Sequence, residues 1–182
     1  RPRVWELDRS SLVSIRVAVP ARCADLLHAG EIDLGLIPSI ELLRGPAPYC
    51  VVPGIAIASR GPVASVCLYA SRPIEQVRSI ALDTSSRTSV ALVSVLCARS
   101  FRIAPSLHPH GPDLAAMLAA YDAALVIGDN ALFMDPSGLD LGAAGKGRRE
   151  PIRAIDLGQV WTELTGLPFV YAFWAGREGA LR

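Results

Sequence analysis

The residues best able to do chemistry lie in one short run, Asp83-Thr84-Ser85-Ser86-Arg87-Thr88-Ser89. It separates a predicted strand, Ile80 to Leu82, from an apolar stretch starting at Val90 that reads as a long helix. Hydroxyls and backbone N–H groups therefore gather at a helix N-terminus. There the first N–H groups have no internal partner and the helix dipole is positive. Such a place binds anions. The Gly-rich spacing of a phosphate loop is missing, which favours carboxylate over phosphate. A lone serine would be only an N-cap, but Thr84 to Ser89 carry more hydroxyls than one cap uses. Ser86, Thr88 and Ser89 are the candidate carboxylate donors. Arg87 could add a bidentate contact, face solvent, or pair with a helix acid.

Other candidates sit where apolar strands stop, which is where ligands bind in open α/β sheets. Pro38 and Ser39 end the run LGLI, Ser59 and Arg60 stand in the turn SRG after a second apolar run, and Gly128-Asp129 end the run ALVI. Arg60 is as ambiguous as Arg87, and Asp129 is either a polar cleft residue or a helix cap. Other chemistry finds little support. His108 and His110 flank Pro109 in what reads as a Pro/Gly loop, with no third ligand spaced for a metal. His28 reads as a surface residue of a helix. No GxSxG elbow or Ser-His-Asp signature is visible. Cys23, Cys50, Cys67 and Cys97 form no CxxC pair and read as reduced, buried thiols. Trp161, Trp174 and Phe169 read as core.

The elements that must position these residues follow from periodicity. Residues 19 to 30 predict a helix closed by Gly30, and LGLI predicts a buried strand of parallel-sheet type. IELL opens a helix or turn. Strands follow at 50–58 (broken by Pro53-Gly54), 63–70 and 80–82, then the helix from Val90, a helix over 112–120 and a strand over 123–127. Residues 134–149 are rich in Gly, Asp and Arg and read as loop; 157–164 predict a helix and 168–174 a strand. The alternation argues an α/β fold with a mostly parallel sheet. GEIDLGLIPSIELL and YDAALVIGDNALFM echo each other as strand–turn units, which is either coincidence or the mark of two similar lobes facing one cleft.

Composition limits the partners. The chain has 182 residues, 51% hydrophobic and 19% charged, so it can bury enough surface to fold. Its net charge of +1 lacks the basic excess of a general nucleic-acid or anionic-membrane binder. No apolar run reaches the ~18 residues of a membrane span. The first residue is Arg1 rather than methionine and the last residues are GREGALR, which reads as a piece of a longer protein.

Taken in order, GEIDLGLIPSIELL, GIAIASRGPVASVCLYASRPIEQV, SIALDTSSRTSVALVSVL, YDAALVIGDNAL and IDLGQVWTELTGLPFVYAFW resemble the chorismate dehydratase family of the futalosine route to menaquinone. LIPSIE, LDTSSRTSVAL and TGLPFV are its most specific parts. The resemblance implies a type II periplasmic-binding-protein-like α/β fold with two lobes and the ligand between them. Crossover strands would fall near 63–70 and 169–174. Lobe one would be residues 1–71 plus 167–182, and lobe two residues 72–166. It implies a cytosolic lyase that converts chorismate, a dicarboxylate, to 3-[(1-carboxyvinyl)oxy]benzoate and water. No metal, flavin or nicotinamide is implied, and the substrate's own enolpyruvyl carboxylate would serve as base. Ser86, Thr88 and Ser89 would hold one carboxylate, with Ile37, Pro38 and Ser39 on the opposing wall, Ser59 among the substrate-binding residues and Gly128-Asp129 closing the second lobe's side. Family members carry an N-terminal strand and a C-terminal helical tail beyond the matched region. The sister enzyme, 1,4-dihydroxy-6-naphthoate synthase, resembles this pattern but carries a histidine at the strand end held here by Gly128. A solute-binding protein for a small carboxylate and a regulator's effector domain share the implied fold.

Overall fold

The computed structural model describes residues 13–46, 48–136, 139 and 151–179. Helix α1 (Pro20–His28) begins with proline at N1, where its missing N–H is harmless. Gly30, at φ +73°, turns the chain into β1 (Leu34–Pro38), which leads into the one-turn α2 (Glu41–Arg44) and the long β2 (Tyr49–Ser59). Then come β3 (Val66–Ala70), β4 (Ser79–Asp83) and α3 (Arg87–Leu96), which continues through a π turn at Cys97–Phe101. β5 (Ser106–His110), α4 (Leu114–Ala120), β6 (Ala123–Ile127), the one-turn α5 (Asp129–Leu132), β7 (Arg153–Asp156), α6 (Leu157–Thr165) and β8 (Phe169–Arg177) complete the order.

Two sheets result. One has three strands in the order β1-β8-β2, and the other has five in the order β5-β4-β6-β3-β7. The first is wholly antiparallel, with β8 pairing β1 and β2 in opposite direction. In the second, β4 is parallel to β5 and β6, while β3 is antiparallel to β6 and β7. The expected mostly parallel sheet is therefore corrected, and with it the reading of LGLI as a parallel strand. Apolar runs report burial, and burial does not distinguish strand direction. Val66–Ala70 is hydrogen-bonded into the five-stranded sheet.

Two-residue alternation divides the larger core between the faces of the second sheet. Val66, Leu68, Ile80, Leu82 and Leu125 meet Leu92, Val93 and Leu96 of α3 and Leu157 of α6. Cys67, Tyr69, Ala81, Ala124 and Val126 meet Leu114, Met117 and Leu118 of α4. Ala24 and Leu27 of α1 cover Ile37, Phe173 and Ala175 of the first sheet. Helices on both faces of a mixed sheet make this an α/β fold. β2 carries a register shift against β8 between Val51 and Ala56, around Pro53-Gly54, as expected where proline lacks a ladder donor and Gly54 turns at φ +81°.

β5 overturns the loop reading of His108-Pro109-His110. Proline is tolerated there because β5 is an edge strand. The two imidazoles pack on Tyr121, His108 stacked at 4.8 Å and His110 edge-on at 6.3 Å. β7 has no counterpart among the strands expected from periodicity, being short and mostly exposed or half-buried. Of the cysteines, Cys67 and Cys97 are buried, Cys23 is intermediate and Cys50 is exposed, correcting the expectation of four buried thiols. Burial pushes the Cys67 and Cys97 thiols up to about 11, so neither is a nucleophile near neutral pH. The expected loop over 134–149 lies mostly outside the described residues. Among the described residues no helix is long and apolar enough to cross a membrane.

Candidate functional site

The α3 N-terminus is built as its composition suggests. Asp83 is buried at the end of β4, and its Oδ1 accepts the Ser85 N–H at 3.0 Å and the Ser85 hydroxyl at 2.6 Å. This Asx turn aims the chain into the helix. Ser86 is the N-cap, its Oγ accepting the Ser89 N–H at 3.2 Å, and the Ser86 and Ser89 hydroxyls lie 2.9 Å apart. Two hydroxyls sharing one hydrogen bond leave one proton to donate elsewhere. The Arg87 and Thr88 N–H groups stand in the first helical turn, where no intrahelical acceptor exists.

Thr88 faces the other sheet. Its Oγ1 lies 3.4 Å from the Ser39 hydroxyl and accepts the Ile40 N–H at 3.4 Å. Ser39 donates to the Val170 carbonyl at 2.7 Å, just after Pro38, which pairs with Ala172. The end of β1, the start of β8 and the start of α3 therefore meet. Ser59, at the end of β2, is engaged elsewhere: its hydroxyl lies 3.2 Å from the Tyr171 hydroxyl. Burial raises that phenol above its ordinary range. Gly128 follows β6, the parallel neighbour of β4, and its N–H donates to the Ser65 carbonyl at 2.8 Å. Its φ of +63° and ψ of −146° are essentially restricted to glycine. Asp129 is exposed in the first turn of α5 and makes no side-chain cap, whereas Arg60 is exposed in its turn. The echo noted in the sequence corresponds to β1–α2 and β6–α5, each a five-residue strand followed by a one-turn helix.

A groove of about 230 Å³ adjoins Ser39 and Thr88, lined by Ile40, Leu43, Leu92, Val95, Trp161 and Phe169 among others. Trp161 and Phe169 meet edge-to-face at 5.0 Å. They are partly buried and pack against the larger core, as expected, and they also wall this groove.

The passage between the sheets is held by Asp156. Its Oδ2 accepts the Val63 and Ala64 N–H groups at 2.9 and 2.7 Å, and its Oδ1 caps α6 through the Gln159 N–H at 3.0 Å. Those bonds hold Ala64 at φ +59°, a conformation costly for a residue with a Cβ.

Arg87 takes the acid-pairing alternative. It bridges Asp25 of α1 and Glu41 of α2, the latter contact at 3.3 Å. Glu41 is a buried carboxylate that closes the motif LIPSIE, to which the sequence alone gave no role. Its Oε2 lies 3.4 Å from Nε2 of His28, which stacks on Tyr49 at 5.7 Å, so His28 is not the surface residue expected. The hydrogen bond from Arg87 holds the Asp25 carboxyl below its ordinary range. A depressed folded-state value stabilises the fold above the ordinary carboxylate range, and that stability is lost as pH falls through the folded value. The urea midpoint is therefore expected to fall on acidification below about pH 4, and less steeply in Asp25→Asn, measured as denaturation curves across pH.

Among the described residues no group of three or more His, Cys, Asp or Glu side chains is arranged to hold a metal ion. Comparison with known proteins places the chain. The menaquinone biosynthesis family matches over residues 1–182. A chorismate dehydratase of Thermus thermophilus is 34% identical over 165 residues, covering 88% of this chain and 60% of that protein. The chain thus spans about 60% of the length of that relative. Among solved structures, protein AF1704 of Archaeoglobus fulgidus aligns with a TM-score of 0.61 at 16% identity, over 92% of this chain and 57% of its own. The periplasmic aliphatic sulphonate binding protein of Escherichia coli aligns with a TM-score of 0.51 at 18% identity, over 89% and 53%. The fold is periplasmic-binding-protein-like, and with a family match running from its first residue to its last, the chain belongs to the menaquinone biosynthesis family.

Proposed function

We propose that this chain is the substrate-binding part of a cytoplasmic chorismate dehydratase, a lyase that converts chorismate to 3-[(1-carboxyvinyl)oxy]benzoate and water in the futalosine route. The supporting observation is the hydroxyl-rich N-terminus of α3 facing Ser39, in a chain 34% identical to a protein of that name. Ser86, Thr88 and Ser89 hold one substrate carboxylate, using hydroxyls and helix amides in place of formal positive charge. At 3.4 Å, the Thr88–Ser39 and Thr88–Ile40 contacts are long and weak. A carboxylate oxygen would replace them with stronger, charge-assisted bonds. Ile37, Pro38 and Ser39 form the opposing wall, Ser59 stands behind it on Tyr171, and Gly128-Asp129 closes the far side. The lobes divide as 1–71 with 167–182 and 72–166, except that Val66–Ala70 belongs by hydrogen bonding to the second sheet.

The reaction removes a ring proton and a ring hydroxyl as water, and aromatisation drives it. The substrate's enolpyruvyl carboxylate takes the proton while the protein holds the elimination-ready conformer, which lowers the entropic part of the barrier. Gly128 supports this reading over the sister naphthoate synthase. A histidine base at that strand end would have to adopt a backbone conformation that side-chain-bearing residues avoid.

Incubating the full-length protein with chorismate is expected to yield an aromatic carboxyvinyloxybenzoate, followed by ultraviolet absorbance and by mass spectrometry as the loss of one water. Absence of that product, together with tight binding of another small carboxylate, would favour a solute-binding protein.

A further inference from the structure

We infer that Glu41, together with Asp25, is a positioning residue for the α3 site, acting through Arg87; this rests on the reading of the first turn of α3 as the carboxylate site. Arg87 is the one cation within the hydroxyl-rich segment, yet both arms of its guanidinium are taken. Nη2 donates to Asp25 on α1, and Nη1 donates to Glu41 at the start of α2. Neither acid belongs to the five-stranded unit that carries α3. The Glu41 side chain is only 7% exposed, and His28 approaches its second oxygen. His28 Nε2 makes no hydrogen bond there, so Arg87 is the group that anchors the carboxylate.

The ion pairs fall in register with the hydroxyl contacts. Glu41 meets Arg87, and Ser39 and Ile40 meet Thr88, the next residue along α3. Segments 39–41 and 87–88 form a short zipper between the two sheets. Its buried charged tooth sets where the ligand-facing hydroxyls stand. Arg87 is thereby also withdrawn from direct contact with an anionic ligand, because its fork is already filled by two carboxylates. Direct binding by Arg87 predicts the opposite consequence for a Glu41 variant, which makes the two roles separable.

The test is Glu41→Gln in the full-length protein, assayed with chorismate and by hydrogen exchange. KM is expected to rise about tenfold with kcat within about threefold, since removing an orienting contact weakens binding without touching reacting atoms. Amide exchange at Ile40 and across Thr88–Val90 should accelerate by about tenfold while β4 and β6 stay protected. Adding Arg87→Gln should worsen KM little further, because the two residues act as one unit. A lower KM in Glu41→Gln overturns the proposal, since it would mean a freed Arg87 binds substrate. Unchanged KM and exchange overturn it as well. If Glu41→Gln fails to fold, Asp25→Asn at the more exposed partner should shift KM and exchange in the same direction by about threefold, and no shift in either refutes the role. If the wild-type protein does not turn over chorismate, the functional reading fails while the exchange result still decides whether Glu41 positions α3.

Discussion

Replacing Ser86 and Thr88 together by alanine is expected to lower kcat/KM for chorismate by about 100-fold in the full-length protein, the loss of two hydrogen bonds to a charged group. Most of it should appear in KM if the hydroxyls hold substrate and transition state equally, and in kcat if they tighten as the ring hydroxyl departs. The double variant also removes a cap, because Ser86 Oγ accepts the Ser89 N–H. That alone costs about 1 kcal/mol of stability. Ser86→Asp separates the two effects. Aspartate caps a helix as well as serine does, but it sets a negative charge where a substrate carboxylate would lie. Ser86→Asp should therefore keep the melting temperature and still lose chorismate turnover. Turnover close to wild type in both variants would sink the assignment of this helix terminus as the carboxylate site.

The second large effect is on stability. Gly158→Ala is expected to destabilise the protein by about 2–3 kcal/mol, because α6 approaches the 59–61 turn and β8 closely enough to exclude a side chain. A Cβ at Gly158 would stand 2.8 Å from the Gly61 carbonyl oxygen and 2.9 Å from both the Ser59 and Tyr171 hydroxyls. The first is backbone, so relief requires α6 to move. The neighbouring bonds resist that movement: Gly61 N–H donates to Thr162 at 2.8 Å, and Thr162 donates to the Gly158 carbonyl at 3.0 Å. The melting temperature should fall by roughly 6–10 °C. Gly111→Ala is the control, since nothing lies within 4 Å of a Cβ built there. Its effect should stay within about 0.5 kcal/mol. Equal melting temperatures for the two variants would show that α6 is not packed as described. The same displacement would disturb Ser59 and the strand start beside Ser39, so chorismate turnover should fall with it.

The local parts of this protein were legible in the residues. The switch from a two-residue to a helical period at Asp83–Ser89 located a strand end, a cap and a helix start, because all three depend on side chains within a few positions of one another. The helices expected over 112–120 and 157–164 also stand, and the structure adds their local signals: Asp113 caps α4, and Gly166 ends α6 at φ +72°. Gly128, read as a strand stop, also has a backbone conformation that few other residues adopt.

What needed the tertiary structure was which local pieces meet and in what direction. β8 is the last strand among the described residues, yet it lies between β1 and β2 and runs antiparallel to both. An apolar run looks the same to its own neighbours in either direction, so strand sense is settled only when distant partners close on it. For the same reason His108-Pro109-His110 read as a loop: proline becomes compatible with a strand only once that strand is known to be an edge. Arg87 had three open fates by sequence, and Asp25 and Glu41, 62 and 46 residues away along the chain, chose among them. The sequence by itself determined a hydroxyl-rich helix terminus suited to a carboxylate. The family resemblance put Ser39 on the wall opposite it; only the fold decided that Ser39 would meet Thr88 itself and that its one arginine would be held by acids, because such contacts form between segments that share no local pattern.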